Sequence, residues 1–341
     1  MEPGPYEYER YVTTVDGLRD TVAKFGVAII PNVLTSAECD MMMSGVWDFF
    51  EHITQKWDLP IDRENSETWT SLYELQPMHS MLFQHWGVGQ AQVSWDLRQK
   101  EKLAGIFANF WQTETDRQTR GISTDDLLVS FDGLSFSTPH ENTNRGYFRK
   151  NLWYHTDQSY ARNDFECLQS WVTACDVREG DSTLAFLESS NSYHSAFRNK
   201  CINGAPDKTD WYKLSDVETS VYVNEFGCKP ARIRCPKGSM VFWDSRTIHC
   251  GIEAMKTREK PNFRCVVYLC YMPRNGCSES NLRKKIKALT ELRTTNHWPC
   301  KPKLFPKTPR AYGGKKFREI TPADPPKLTE LGKKLAGHSL T

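Results

Sequence analysis

The chain of 341 residues is longer than an average domain but short for two, so we expect one large domain with additions. Hydrophobic residues make up 39% and aromatic residues 12% of the chain, which suffices for a sizeable core and excludes a disordered protein. The 44 basic and 42 acidic residues give a net charge of +2. This balance argues against a protein that mainly binds nucleic acid or a membrane surface.

The charge is distributed unevenly along the chain. From Arg283 to Thr341 there are 15 basic and 4 acidic residues, so this segment carries +11 and the remainder carries −9. No apolar run approaches the ~20 residues that a bilayer requires, and neither end of the chain shows a targeting signal. The 11 cysteines lack any CxxC pair, which is typical of small buried residues in a reducing compartment. We therefore expect a cytoplasmic protein.

The N-terminal third of the chain is predicted to be mainly helical. Residues 16–24 show a helical pattern that ends at Gly26, and VAIIPNVL then indicates a short apolar strand. Further helical patterns cover roughly 37–55 and 95–113. These elements predict an N-terminal helical support over 16–113.

From Leu127 onward, short runs rich in β-branched and aromatic residues alternate with Gly, Pro, Asn and Asp. Seven runs predict strands, namely LLVSFDGLSF, SWVTACDV, TLAFLES, SVYVNEF, ARIRC, SMVFWDS and FRCVVYLCYM. Their spacing favours an antiparallel sandwich or jelly roll at about residues 125–273. We expect a mainly β protein with flanking helices.

The last part of the chain, residues 279–341, is predicted to be an extension of that domain. It begins with a probable helix over 279–294 and becomes rich in Pro and Lys beyond Trp298. Such a composition makes a poor independent core, so the extension is expected to wrap the domain or to be partly mobile. A solvated tail is the simpler interpretation of its positive charge, and a binding patch is the alternative.

The segment WYHTDQ contains two candidate metal ligands. His155 and Asp157 are two residues apart, so on an extended backbone both side chains project to the same side. His249 ends a later predicted strand and could supply a third ligand. Two histidines and one carboxylate with three open positions are the metal ligands of non-haem Fe(II) oxygenases. Since His-x-Asp pairs also arise by chance, a surface pair is the alternative.

In content and order, the motifs over most of residues 16–275 resemble the phytanoyl-CoA dioxygenase family of Fe(II)/2-oxoglutarate oxygenases. The resemblance rests on GVAIIPNVLTSAE, DLLVSFDG, WYHTDQS, LQSWVTACDV, GDSTLAFLESSNSYH, DSRTIHCG and NFRCVVYLCYMP. It implies a double-stranded β-helix (jelly-roll) core within an oxygenase domain over 1–278. It also implies Fe(II) held by His155, Asp157 and His249, with 2-oxoglutarate and O2 as co-substrates.

In that family an arginine on the strand after the distal histidine binds the far carboxylate of 2-oxoglutarate, which is a charge-assisted contact. Arg264 in NFRCVVY fits this position, and Arg258 in the polar loop KTREK is the alternative. Trp171 stands where the family places an aromatic residue against the co-substrate, although an ordinary core tryptophan fits equally well. Thr183 and Gln169 are further candidates for this pocket.

The sequence predicts the reaction class better than the substrate. We expect oxidation of an unactivated C–H bond of a small metabolite or natural-product intermediate, by hydroxylation, desaturation or oxidative cyclisation, with release of succinate and CO2. Because Asp157 occupies a coordination position, halogenation is disfavoured. The candidates for substrate contact are Tyr154, Gln158, Arg149 and Arg246, although solvated charges would also explain the two arginines.

Two other kinds of function remain open at this point. The chain could be an inert binding protein on the same fold, or an oxygenase that acts on a macromolecule recruited by the basic extension. Nothing in the sequence indicates the oligomeric state. Four other histidines are expected to be surface or packing residues, namely His79, His85, His140 and His297.

Overall fold

The computed structural model describes residues 2–76, 81–118, 121–202, 204, 208–310 and 316–338. In that part of the chain the α-helices are α1 (Leu18–Phe25), α2 (Ser36–Thr54), α3 (Gln92–Arg98), α4 (Glu101–Trp111), α5 (Glu114–Gln118), α6 (His140–Thr143), α7 (His194–Cys201), α8 (Asp216–Ser220), α9 (Glu279–Thr290) and α10 (Glu330–Ala336). Most of the helical residues precede the β-rich region or follow it, as the sequence pattern predicted.

Over the described ranges, the strands form two six-stranded sheets and one separate pair. In chain order they are β1 (Tyr6–Glu7), β2 (Val27–Ile30), β3 (Leu82–Phe83), β4 (Leu127–Val129), β5 (Leu134–Ser137), β6 (His155–Thr156), β7 (Leu168–Thr173), β8 (Thr183–Leu187), β9 (Tyr212–Lys213), β10 (Pro230–Ile233), β11 (Met240–Asp244), β12 (His249–Ile252), β13 (Arg264–Tyr268) and β14 (Tyr271–Pro273). The first sheet has the order β1-β10-β8-β12-β6-β9, and the second has the order β2-β11-β7-β13-β5-β3. Strands β14 and β4 form the pair.

The two large sheets pack face to face and enclose an apolar core. Trp171, Val241 and Val266 of the second sheet share one buried cluster with Leu184 and Phe186 of the first sheet. Apart from the parallel β1–β10 pair, the pairings within both sheets are antiparallel. Two facing antiparallel sheets of this kind form a jelly roll. The predicted fold class is confirmed.

The outer face of the second sheet is covered by helices of the N-terminal support. Phe242, adjacent to an inward-facing residue of β11, points outward because side chains alternate along a strand, and its ring lies 5.7 Å from that of Phe107 in α4. Phe50 of α2 lies 5.4 Å from Phe136 of β5. Both faces of the second sheet are therefore buried, and this sheet forms a rigid back wall of the candidate metal site.

Helix α2 begins with a capping box. The Glu38 amide donates to Thr35 Oγ1 at 3.2 Å, and the Thr35 amide donates to Glu38 Oε2 at 2.8 Å. Each residue thus satisfies an amide that the first helical turn leaves without a partner. Lys100 Nζ also donates to Glu38 Oε1 at 2.9 Å and connects α2 to the start of α4.

The prediction of a strand for SVYVNEF is wrong. This segment continues α8 as a π-helical turn over Val221–Glu225. A capping box starts the helix, in which the Glu218 amide donates to Ser215 Oγ at 3.2 Å and the Ser215 amide donates to Glu218 Oε2 at 2.7 Å. The buried Tyr222 then packs on Phe226, four residues later, at 5.6 Å. The N-terminal cap and this i,i+4 pair override the β-propensity of the valines.

The described part of the extension, residues 279–310 and 316–338, wraps the domain. The Trp57 indole donates to the Glu319 carbonyl at 2.7 Å, and the Thr321 amide donates to the Ile53 carbonyl at 2.8 Å. Leu335 of α10 is fully buried. Part of the positive charge is neutralised by the acidic body, as in the ion pairs Lys301–Glu166 at 2.8 Å, Lys334–Asp125 at 2.5 Å and Arg318–Glu74 at 3.7 Å.

The structure shows the environment of the cysteines and the lengths and hydrophobicity of the described helices. All eleven cysteines are free and eight of them are buried. Within the described residues, none of the helices has the length and hydrophobicity needed to span a bilayer.

Candidate metal centre

Strand pairing in the first sheet brings the three predicted metal ligands together. Strands β6 and β12 are antiparallel neighbours in which His155 lies directly opposite His249. Asp157 follows β6, and its amide donates to the Ser245 carbonyl at 3.0 Å. Asp157 Oδ2 lies 3.3 Å from His249 Nε2 and 3.7 Å from His155 Nε2. All three residues are buried, and one potential ligand atom from each lies within 4.8 Å of the others.

Backbone carbonyl groups orient both imidazole rings. His155 Nδ1 lies 3.2 Å from the Trp153 carbonyl, and His249 Nδ1 lies 2.9 Å from the Thr247 carbonyl. A carbonyl oxygen only accepts, so Nδ1 carries the proton in each ring and Nε2 keeps its lone pair for a metal. Both Nε2 atoms face Asp157.

The carboxylate is oriented as well. Gln169 of β7 donates from Nε2 to Asp157 Oδ2 at 3.1 Å. Burial alone would raise the pKa of Asp157, but the neighbouring His297 and His155 hold it well below its usual range. Burial, and then the neighbouring His249, lower the pKa of His155. The resting site therefore favours an anionic carboxylate beside a neutral imidazole, the protonation states in which these groups bind metals.

These residues fit an iron ion. Two imidazole nitrogens and one carboxylate oxygen on adjacent strand positions form a three-ligand face, and the rest of the coordination sphere opens to a cavity. Nitrogen and oxygen donors without a thiolate suit Fe(II) better than a soft ion.

The three ligands line a cavity of about 700 Å³, which is in the size range of small-molecule sites. Among the residues that the structure describes, its wall contains seven aromatic side chains, namely Trp153, Trp171, Trp211, Trp243, Tyr268, Trp298 and Phe305. Its polar side chains include Asp132, Ser135, Lys208, Glu253, Asn296 and Lys303. A cavity of this size with many aromatic side chains and several polar ones is suited to an organic molecule.

Arg264 lies in the same cavity, on the second sheet. Its Nε donates to Ser135 Oγ at 2.8 Å and its Nη1 donates to the Ser182 carbonyl at 2.8 Å, so the guanidinium group is fixed. Its Cζ also lies 5.8 Å from the centre of the Trp171 ring. A buried, oriented arginine facing a metal site across a cavity is suited to bind a carboxylate.

Arg258, the alternative, is differently placed. It forms ion pairs with Glu141 and, at 3.1 Å, with Asp181, and it lines a separate surface cleft. Its positive charge is therefore already paired with the carboxylates of Glu141 and Asp181. The geometry favours Arg264 over Arg258 as the carboxylate ligand.

Of the other predicted co-substrate residues, two reach the cavity and one does not. Trp171 and Gln169 line the wall. Thr183 points away from the cavity and donates from Oγ1 to the Ile233 carbonyl at 2.7 Å. Its neighbour Leu184 lines the cavity instead, because adjacent residues of β8 face opposite sides of the sheet.

Among the described residues that line the cavity, none of the four predicted substrate-contacting residues is present. Tyr154 is adjacent to His155 and belongs to a buried cluster on the opposite face of the first sheet. Gln158 donates to the Asp164 carbonyl at 2.7 Å and thereby stabilises a loop. Arg246 pairs with Asp244 at 2.6 Å, and Arg149 is exposed.

The cavity also contains residues that the sequence analysis did not select. Trp153 stacks on the His155 ring at 4.8 Å, and Trp211 lies 5.8 Å from the same ring. Trp153 could have been found by strand alternation, since it lies two residues before His155.

The other histidines differ in their environments. His85 and His140 pack as expected: His85 Nδ1 lies 2.9 Å from the Pro306 carbonyl, and burial lowers the pKa of His140 to about 4. His297, expected to be a surface or packing residue, lines the cavity. The prediction for His79 concerns a residue outside the described part of the chain.

Comparisons with known proteins found similarities in sequence and in structure. No family model matches the chain. The chain is similar to "Ava biosynthesis cluster protein O" of Aspergillus versicolor, with 21% identity over 286 residues that cover 82% of this chain and 85% of that protein. It is also similar to the solved structure of a hypothetical protein from Escherichia coli, with a TM-score of 0.56 and 13% identity over 96% of this chain and 85% of that chain.

A third similarity concerns an enzyme with known ligands. The epimerase SnoN, solved in complex with Fe3+, alpha ketoglutarate and nogalamycin RO, matches with a TM-score of 0.43 and 14% identity over 76% of this chain and 83% of that chain. A TM-score below 0.5 carries no argument about this protein. The similarity to the Escherichia coli structure supports the fold, and membership of the phytanoyl-CoA dioxygenase family stays a prediction.

Proposed function

We propose that this protein is an Fe(II)- and 2-oxoglutarate-dependent oxygenase that oxidises an unactivated C–H bond of a small organic molecule. The observation that carries the proposal is the buried group of His155, Asp157 and His249 facing Arg264 across one aromatic cavity. When bound, iron with 2-oxoglutarate and O2 supplies the oxidising power, and 2-oxoglutarate is converted to succinate and CO2 as the substrate is oxidised.

The protein's own residues would perform distinct tasks in this reaction. The two Nε2 atoms and the Asp157 carboxylate hold the metal, and Gln169 orients that carboxylate. Arg264 binds the distal carboxylate of 2-oxoglutarate and Trp171 packs beside it. The aromatic wall packs against the organic substrate.

The substrate is proposed to be a natural-product intermediate. The relative from Aspergillus versicolor carries the name of a biosynthesis cluster protein, and the chain matches most of its length. The cavity volume of about 700 Å³ supports a substrate larger than 2-oxoglutarate alone. Hydroxylation, desaturation and oxidative cyclisation are all compatible with this site.

The test is an anaerobic titration of the metal-free protein with Fe(II) and 2-oxoglutarate, followed by the visible charge-transfer band of the chelate. The wild-type protein should develop the band. His155→Ala should not develop it, and Arg264→Ala should require about 10- to 100-fold more 2-oxoglutarate because a charge-assisted contact is lost.

Two further variants serve as controls. Arg258→Ala should require the same 2-oxoglutarate concentration as the wild type, because Arg258 is paired with Glu141 and Asp181. His338→Ala removes an exposed histidine and should leave the band unchanged. A folded wild-type protein without the band would contradict the proposal and favour an inert binding protein.

A further inference from the structure

One carboxylate in the cavity wall has no task in the proposed reaction. Asp132 lines the cavity that contains the metal ligands, and only 8% of its surface is accessible. It lies in the connection between β4 and β5. The Tyr268 amide donates to the Gly133 carbonyl at 3.3 Å, which places this connection at the end of β13, the strand that carries Arg264. Asp132 is therefore on the second-sheet side of the cavity.

The backbone around Asp132 is fixed by its neighbours. The Phe131 amide donates to Thr295 Oγ1 at 3.1 Å, and the Thr295 amide donates to the Phe131 carbonyl at 2.8 Å. Arg98 is fully buried, and its Nη2 donates to the Asp132 carbonyl at 2.7 Å. The carboxylate is thus presented to the cavity by a rigid support, as a recognition residue requires.

The two carboxylate oxygens of Asp132 have different environments. Oδ1 accepts a hydrogen bond from the Gly133 amide at 2.7 Å. Oδ2 has no hydrogen-bond partner among the described residues, and it is not one of the fully buried polar atoms that lack a partner, so it retains accessible surface. Because Asp132 lines the cavity and is otherwise buried, Oδ2 opens into the cavity, where a ligand can reach it.

The other acidic side chains of the cavity wall are already engaged. Asp157 is a candidate metal ligand. Asp210 forms an ion pair with Arg162, and Glu253 also has a partner. Among the described residues of the wall, Asp132 is thus the carboxylate that is left open to a ligand.

The negative charge of Asp132 is poorly compensated. Burial raises its pKa, because the ionised carboxylate loses the hydration that it would have in water. Arg98 donates to its carbonyl and not to its carboxylate. Lys208 and Lys303 also line the cavity, but both are exposed, so water and salt screen their charges.

The loaded site would leave this charge in place. Under the proposed function, the charges of Fe(II) and Arg264 are balanced by those of 2-oxoglutarate and Asp157. The charge of Asp132 then remains for the substrate to compensate. A buried charge without a partner is costly, so a substrate that brings the opposite charge gains affinity.

A protonated amine supplies what this carboxylate lacks. It donates hydrogen bonds and carries the opposite charge, and such charge-assisted bonds are stronger than bonds between neutral groups. Trp211, Tyr268 and Phe305 line the same cavity. The faces of aromatic rings attract ammonium groups, and the rings also pack against the apolar part of a ligand. A neutral hydroxyl group could donate one bond to Oδ2 but would leave the charge uncompensated.

We propose that Asp132 is a substrate-binding residue and that the substrate carries a protonated amine on an apolar, ring-containing skeleton. This inference rests on the proposed function and specifies the substrate class of the same cavity. The core strands would hold iron and 2-oxoglutarate, and the contact between Asp132 Oδ2 and the amine would orient the substrate.

The experiment compares two probes with one ring system, 2-naphthylmethylamine, which is cationic at neutral pH, and 2-naphthylmethanol, which is neutral. Their binding is measured by anaerobic equilibrium dialysis against the protein loaded with Fe(II) and 2-oxoglutarate, with loading verified by the charge-transfer band. The wild-type protein should bind the amine about 10- to 100-fold more tightly than the alcohol, as expected for a charge-assisted bond to a buried group.

Two substitutions at Asp132 test the cause of this preference. Asp132→Asn removes the charge but keeps an acceptor for the Gly133 amide, so it should fold, develop the charge-transfer band and bind the two probes equally. Asp132→Glu keeps the charge and should retain part of the preference. Direct binding of the amine to iron would not depend on Asp132.

The matched control is Asp210→Asn, which removes another carboxylate of the same wall. Because Asp210 is paired with Arg162, this variant should keep the preference for the amine. Equal affinity of the wild type for the two probes, no binding of either probe, an unchanged preference in loaded Asp132→Asn, or an equal loss in Asp210→Asn would overturn the inference.

The same dialysis with metal-free protein separates this inference from the proposed function. If the wild type develops no charge-transfer band but still prefers the amine through Asp132, the proposed function fails while the recognition of an amine by Asp132 stands. If the band forms and the preference is absent, the oxygenase proposal stands and the substrate class is wrong.

Discussion

The two walls of the cavity are formed by different kinds of structure. The core wall, with His155, Asp157 and His249, arises from neighbouring strands whose register places the side chains on one face. The extension wall, residues 294–305, reaches the same space from a segment that belongs to neither large sheet in the described structure, and it depends on hydrogen bonds to residues such as Phe131. Under the proposed function, the core wall would hold the metal and 2-oxoglutarate, and the extension wall would be free to contribute to substrate selection.

The largest effect is expected on the core wall, at Asp157. Asp157→Ala removes the only carboxylate of the three-ligand face, so Fe(II) affinity should fall at least about 100-fold and the charge-transfer band should disappear. Anaerobic Fe(II) titration measures this change. Retention of the band in Asp157→Ala would mean that the metal binds elsewhere.

A smaller effect is expected one step away from the metal. Gln169→Leu removes the hydrogen bond to Asp157 Oδ2 at 3.1 Å, so the carboxylate is less well oriented and Fe(II) affinity should fall about tenfold. The matched control is Gln90→Leu, which changes a buried glutamine that bonds the Arg293 carbonyl and Trp95. That variant should lower the melting temperature without changing Fe(II) affinity, and equal Fe(II) affinity of the two variants would exclude the positioning role of Gln169.

In the extension wall, by contrast, we expect a substitution to lower stability without lowering Fe(II) affinity. Thr295→Val deprives the Phe131 amide of its acceptor, so the free energy of unfolding should fall by about 1–3 kcal/mol while Fe(II) affinity stays unchanged. Urea denaturation and Fe(II) titration provide the two readouts. Thr290→Val, in the exposed last turn of α9, should have little effect on either, and a parallel loss of Fe(II) affinity in Thr295→Val would show that the walls are not independent.

The smallest effect concerns the helical support outside both walls. The hydrogen bond from Lys100, and then the capping bonds from Thr35, lower the pKa of Glu38 to about 2. Because the pKa in the folded state is depressed, Glu38 stabilises the fold at neutral pH, and this contribution is lost as the pH falls from about 4.5 towards 2. Glu38→Gln should therefore cost up to about 1 kcal/mol at pH 7, since the pair is partly exposed. In urea denaturation the difference from the wild type should shrink below pH 4, and a constant difference would contradict this assignment.

Local periodicity predicted several features correctly. Alternation along a strand was enough to place His155 and Asp157 on one side, and the wall-lining Trp153 follows the same rule. The capping pattern before α2 is equally local, since Thr35 and Glu38 are three residues apart. The β-propensity of SVYVNEF misled because the stronger local signal, the S-x-x-E cap at Ser215, lies just before it.

The sequence by itself determined the fold class and selected the three candidate metal ligands that the structure brings together, because side-chain alternation and motif order are properties of short segments. Only the tertiary structure decided which face of each strand lines the cavity. It showed that Leu184, and not the predicted Thr183, lies in the cavity wall. It also placed Arg264 in the cavity and Arg258 beside the carboxylates of Glu141 and Asp181. The position of His297 depends on how the extension folds back over the jelly roll, and contacts between residues so distant in sequence leave no periodic signal.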